Sequence, residues 1–133
     1  MAASSCGFLA FLFSFFLLPF GTSCWNTSSY NSRRCSPSDI RIYQSSSGYT
    51  SLNIPKYIVQ IINEAEEVDG VFDVEITCED FASANLVNPL VFRRLDQGHC
   101  LVKNGDKIEP GEIISFEYSN ISPYQFSVID VKC

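Results

Sequence analysis

Phe72-Asp73-Val74-Glu75-Ile76-Thr77-Cys78 is the stretch on which the fold turns. Its apolar side chains alternate with polar ones. That period of two places one set on a buried face of an extended strand and the other in water. Outward from it the same rhythm recurs in short pieces. On the N-terminal side, Tyr57-Ile58-Val59-Gln60-Ile61-Ile62 is a β-branched run after Pro55, and Ile40, Ile42 and Gln44 alternate with Arg41 and Tyr43. A loop is expected at Ser45–Gly48 and an acidic turn at Glu64–Gly70. On the C-terminal side the rhythm breaks between Glu79 and Gly98. There Phe81–Ala84 reads as a helical turn, stopped by Asn88-Pro89, because a residue before proline is pushed out of the α region. Strands resume at Cys100–Lys103, at Ile113–Tyr118 with Ile114, Phe116 and Tyr118 on one side, and at Phe126–Cys133. In the last of these Val128, Ile129 and Val131 put apolar groups on both faces, the mark of a covered strand or of a bulge. Asn104-Gly105 and Pro110-Gly111 are turn signals, the first because both residues tolerate positive φ. Closely spaced strands with turns between them predict an all-β domain, a single small antiparallel β-sandwich of about six to seven strands.

The amino end reads differently. Phe8–Phe20 is an apolar run with no charged residue before Arg33. It is shorter than the roughly 20 residues that span a bilayer and matches the apolar core of a secretory signal. The expected organisation is a cleaved signal peptide over 1–24, a polar flexible arm over 25–34 that carries the dibasic pair Arg33-Arg34, and the sandwich over 35–133. The dibasic pair is a candidate processing site. Asn26 and Asn120 head N-glycosylation sequons, and Asn120 is placed at an exposed turn after a strand.

Export makes disulfides the default use of cysteine. Cys35, Cys78, Cys100 and Cys133 remain once the leader and arm are set aside. Four cysteines allow three pairings, and their spacing does not choose among them. Cys78–Cys100 with Cys35–Cys133, the second joining the termini, is the working expectation.

Composition excludes several functions. A net charge of -6 on 133 residues is a poor match to a nucleic-acid backbone. There is no CxxC pair and one histidine, so no metal centre is expected. The Glu64–Asp69 cluster lacks the spacing and glycine of a calcium loop. His99 beside Cys100 would face away from it on a strand, and no nucleophile-elbow, HExxH or P-loop motif occurs, so neither an enzyme nor a cofactor is expected. Charge is the more informative feature. Eight acids and no base lie between Tyr57 and Phe92, after which Arg93, Arg94, Lys103 and Lys107 come close together. A solvated acidic face is the plain reading of that run, and a patch that steers a partner of opposite charge is the sharper one.

Ser83-Ala84-Asn85-Leu86-Val87-Asn88-Pro89-Leu90-Val91-Phe92-Arg93-Arg94-Leu95, followed by Cys100-Leu101-Val102-Lys103-Asn104-Gly105 and Ser115-Phe116-Glu117-Tyr118, resembles the plant tapetum-determinant family of small secreted cysteine-containing proteins. Cys35-Ser36-Pro37-Ser38-Asp39-Ile40 and Pro55-Lys56-Tyr57 are collinear with that likeness, which runs from Cys35 to Cys133. The resemblance implies an extracellular ligand for a leucine-rich-repeat receptor kinase, acting on cell fate in the anther tapetum, with no membrane association once the signal is removed. Family members typically carry two further cysteines in the turn matching Glu64–Gly70, and a glycine after the cysteine matching Cys78; here the turn has none and Glu79 follows Cys78. Arg93, Arg94 and Asp96, placed after the long irregular segment, are the candidate partner contacts. The alternative is a cell-wall carbohydrate-binding module that uses exposed aromatics, for which Trp25, Tyr30, Tyr43, Tyr49 and Tyr124 are candidates.

Overall fold

A computed structural model describes residues 34–66 and 68–133. The stretch expected to be a signal peptide and most of the expected arm, with Asn26, Trp25, Tyr30 and Arg33, lie outside the described residues. Seven strands form two antiparallel sheets: β1 (Ile40–Tyr49), β2 (Pro55–Asn63), β3 (Phe72–Glu79), β4 (Phe92–Asp96), β5 (Gly98–Val102), β6 (Ile113–Ser119) and β7 (Ser127–Lys132). One sheet runs β1-β2-β6 and the other β4-β5-β3-β7. A 3-10 turn at Pro37–Asp39 precedes β1, capped reciprocally by Ser36 and Asp39.

The alternating sequences account for the core. Val74, Ile76 and Cys78 of β3, Val59 and Ile61 of β2, and Phe116 and Tyr118 of β6 are buried between the layers. Aromatic rings fill the space between the sheets. Phe92 stacks on Phe116 with centroids 4.3 Å apart, and Phe81 meets Phe92 edge-on at 4.9 Å. Such pairs add stabilisation of about 0.5–1.5 kcal/mol beyond the area they bury. Cys78–Cys100 staples β3 to β5 and Cys35–Cys133 closes the two ends of the domain.

Several local expectations need correction. Ser45–Gly48 is strand, not loop: β1 continues to Tyr49 through a bulge between Ser46 and Gly48, where Gly48 takes φ 109°. Phe72 is exposed, because Asp73 adopts φ 47° and the β3–β7 register shifts between Phe72 and Glu75, turning Phe72 off the buried face. Phe81–Ala84 forms no helical turn. Phe81 is drawn into the aromatic core, and Ser83–Asn85 lie along the outer edge of β6, where Ala84 N donates to Ser119 O at 2.9 Å. The double apolar face of β7 comes from a bulge: Glu75 opposes Asp130 and Ile76 opposes Val128, which leaves Ile129 unpaired. The Asn104-Gly105 turn has both φ values positive, and Asp106 N closes it onto Lys103 O at 2.9 Å.

Candidate functional site

Arg93, Arg94 and Asp96 do not sit in an irregular segment. They lie on β4, the short edge strand of the four-stranded sheet. Phe92 anchors the strand in the aromatic core, and pairing with β5 aligns Arg93 with Leu101 and Arg94 with Cys100. Everything on β4 after Phe92 is exposed.

The electrostatics single out the two arginines. Arg41 pairs with Glu64 at 3.2 Å, Lys56 with Glu117 at 3.4 Å, Lys103 with Glu112 at 2.7 Å, Lys107 with Glu109 at 3.4 Å and Lys132 with Asp73 at 3.4 Å. Asp96 faces His99 at 3.4 Å. Among the described residues, Arg93 and Arg94 have no carboxylate partner. Each of these guanidiniums, one on either face of the edge strand, is a positive charge on an acidic domain that a partner can desolvate without first breaking an ion pair. The acidic run, by contrast, is partly neutralised: Glu64 and Asp73 are among the paired carboxylates.

Beside β4 the surface opens into a groove of about 360 Å³, lined by Asn85–Asn88, Val91 and Ser115–Glu117. Its outer wall is the 85–91 loop, shaped by Asn88: the Asn88 carboxamide oxygen accepts from Leu90 N at 3.0 Å and its carbonyl accepts from Val91 N and Phe92 N. Leu86 is 95% exposed on this loop and Leu90 63% exposed.

The other residues singled out in the sequence have structural uses or stand apart from this edge. Asn120 is half-buried, and its Nδ2 donates to Ala82 O at 3.0 Å and to Tyr124 Oη at 2.7 Å. A glycan attached to that nitrogen would displace one of these bonds. Tyr124 is not part of an exposed aromatic row. It packs against Phe81 and Tyr118, and its hydroxyl accepts from Ala82 N at 3.1 Å. Tyr43 and Tyr49 are exposed on β1. Tyr118 is fully buried, which pushes its phenol pKa up, and its hydroxyl donates to Gln44 and accepts from Tyr124 N. Arg34 is exposed beside Cys35 at the start of the described chain. Among the described residues no group of His, Cys, Asp and Glu converges as a metal site, and no helix is long and apolar enough to cross a membrane.

Sequence reasoning missed Asn63. It is fully buried at the end of β2, with Nδ2 donating to Ile108 O at 2.9 Å and Oδ1 accepting from Ala65 N at 2.9 Å. Its backbone bonds Glu112 O and Gly111 N. One side chain thus ties the acidic turn to the 106–112 loop, where the turn has no cysteine. Lys103 braces the same loop. Its ammonium donates to Glu112 and to Lys107 O, and the bond to Glu112 holds that carboxyl below its usual pKa.

The sequence profile of a family described as Tapetum determinant 1, C-terminal, matches residues 36–133. The chain is 39% identical over 99 residues to TPD1 protein homolog 1 of Arabidopsis thaliana, an alignment covering 74% of this chain and 55% of that protein. It is 41% identical over 99 residues to TPD1 protein homolog 1B of Oryza sativa subsp. japonica, covering 74% and 58%. With TPD1 protein homolog 1A of the same plant the identity is 36% over 101 residues, covering 71% and 45%. The chain thus spans about half the length of the curated relatives it matches. No solved structure matches it significantly. With a profile that covers nearly all of the described sandwich and relatives alike across the same stretch, the chain belongs to the tapetum determinant 1 family.

Proposed function

We propose that the sandwich is an exported signalling ligand that docks on the ectodomain of a plant leucine-rich-repeat receptor kinase and acts in anther development. Family membership and the resemblance that accompanies it support the signalling role. The two disulfides, one of them joining residues 98 positions apart, suit an oxidising extracellular compartment. The observation that carries the docking reading is that Arg93 and Arg94 are exposed, adjacent in sequence and, among the described residues, without a carboxylate partner, where each other described base from Arg41 onward has one.

In this reading Arg93 and Arg94 supply charge complementarity and faster association, and Asp96, already facing His99, stands at the rim. The test is a titration of the secreted chain against the ectodomain of the tapetal leucine-rich-repeat receptor kinase. Saturable binding, weakened by Arg93→Glu with Arg94→Glu at an unchanged melting temperature, is the expected outcome. A folded, disulfide-bonded chain that does not bind, or charge reversal that leaves the affinity unmoved, refutes it.

A further inference from the structure

Each sheet of the sandwich leaves two edges: β1 and β6 in one, β4 and β7 in the other. Open edges invite pairing with other chains, and proteins blunt them with bulges, charges or covering loops. Three of these four edges are interrupted. The register slips between Ser46 and Gly48 on β1, between Arg94 and Asp96 on β4, and at Ile129 on β7. The β2–β6 pairing, from Lys56↔Ser119 to Ile62↔Ile113, runs without a shift. β6 is therefore the one regular edge among the described strands.

Which of its backbone groups are open follows from strand alternation. Asn120 N donates to Pro55 O, and Glu112 O accepts from Asn63 N, so the even-numbered residues of β6 face β2. The odd-numbered ones face outward. Ser119 does so visibly: its N donates to Ser83 Oγ at 3.0 Å and its carbonyl accepts from Ala84 N at 2.9 Å. Past Ser119 the covering segment stands away from the strand, and the groove described above opens along Ser115–Glu117. Among the described residues, the outward N–H and C=O of Ser115 and Glu117 have no partner. Leu86 and Leu90 rise on the far side of the groove, and the aromatic stack of Phe92 on Phe116 brings the start of β4 over it. Arg94 lies on the same side of β4 as Phe92, and Arg93 on the opposite side.

We infer that this groove receives an extended, acidic and partly aliphatic segment of a partner protein, which adds to β6 as a strand across Ser115 and Glu117 and sets its carboxylates against Arg94. Strand addition draws affinity from main-chain hydrogen bonds and specificity from alternate side chains. Here one side of the added strand meets the leucines of the loop and its charges meet the unpaired Arg94 guanidinium. The Glu117 carboxylate does not oppose this, because it is already engaged by Lys56 and by the Ser47 hydroxyl. The inference rests on the ligand reading for its biological use, but its test needs no receptor.

The probe is a synthetic eight-residue peptide of alternating leucine and glutamate, titrated into the isotopically labelled secreted chain, with the leucine–lysine peptide as its control. The expected result is amide shifts at Ser115, Glu117, Leu86 and Val91, slowed exchange of the Ser115 and Glu117 amides, and affinity that falls with added salt. Ser115→Pro removes one outward N–H that β2 does not use, a position where an edge strand tolerates proline. It should weaken the peptide roughly tenfold or more while the protein still melts cooperatively. Arg94→Glu, at an exposed position, should weaken it likewise and favour the lysine peptide. No shift in β6 up to millimolar peptide, equal binding of both peptides, or shifts unchanged in both variants would overturn the inference. Receptor binding without peptide binding refutes the groove alone, and peptide binding without receptor binding refutes the ligand reading alone.

Discussion

Asn63→Ala is the sharpest test of how this domain is held together. The substitution deletes two buried hydrogen bonds of 2.9 Å each and leaves Ala65 N without its partner, while Ile108 O keeps its bond from Val71 N and the backbone bonds of residue 63 to Glu112 and Gly111 remain. A buried polar group left unsatisfied costs about 1–3 kcal/mol, so the orphaned Ala65 N should cost about 2 kcal/mol. For a domain of about 100 residues that lowers the melting temperature by about 8–16 °C, at 4–8 °C per kcal/mol. Thermal unfolding followed by circular dichroism measures this directly. Asn63→Asp sharpens it. The aspartate keeps an acceptor for Ala65 N but turns an oxygen toward Ile108 O, so at neutral pH it buries a carboxylate that repels its neighbour. Its pKa in the fold is therefore raised, and the variant should gain on wild type as the pH falls and the protonated carboxyl can donate to Ile108 O. A loss below about 1 kcal/mol for the alanine variant, or an aspartate variant that tracks it at every pH, would refute the claim that this side chain pins the turn.

Three further outcomes are expected. Replacing Cys35 and Cys133 by alanine opens a closure of sequence separation 98, and replacing Cys78 and Cys100 one of 22. Loop entropy makes these about 4.7 and 3.4 kcal/mol, so the terminal pair should shift the urea midpoint more. Gly70→Ala would place a methyl 2.5 Å from Lys107 Cε and 3.1 Å from Ile108 O, at φ 146°. It should destabilise clearly more than Gly48→Ala, whose added carbon meets nothing within 4 Å, and paired urea melts would show the difference. Glu112 has its carboxyl pKa lowered by Lys103. The stability this contributes is present above the unfolded value and lost as the pH falls through the folded one. Lys103→Met should flatten that acid limb by about 0.5–1 kcal/mol, read from urea midpoints between pH 3 and 7, because both side chains are about one-third exposed.

How much of this was legible in the sequence depends on where each element finds its partners. β3 and β6 could be read because a strand with one face in the core must alternate, and Val74, Ile76, Ile114 and Phe116 do so. β4 could not, because after Phe92 it is an edge strand exposed on every residue, and Arg-Arg-Leu-Asp carries no period at all. Its strand state comes from pairing with β5, a tertiary override of local pattern. The serine-rich half of β1 hides for the same reason: paired on one edge and bulged, it needs no apolar side chains. Phe81 misled differently. Local sequence favoured a turn of helix, but the aromatic core claims the ring and the β6 edge claims the backbone that follows.

The candidate site was legible as residues but not as a surface. Arg93 and Arg94 stand out after a run of acids, yet the reason they matter is that every other described base from Arg41 onward meets a carboxylate, and three of those carboxylates, the partners of Arg41, Lys56 and Lys132, come from distant positions. Glu64 lies 23 residues from Arg41, and Asp73 lies 59 from Lys132. A sequence shows the charges but not which of them cancel. The groove is further removed still, since it exists because Ser83–Asn85 cover β6 only at Ser119. The cysteine-free acidic turn makes the same point. A turn of four acids with no staple reads as loose until Asn63 is seen to reach Ile108, 45 residues away. The turn keeps a fixed place without a staple, and the domain presents its unpaired arginines on a rigid edge rather than on a loop, which lowers the entropy a partner must overcome on binding.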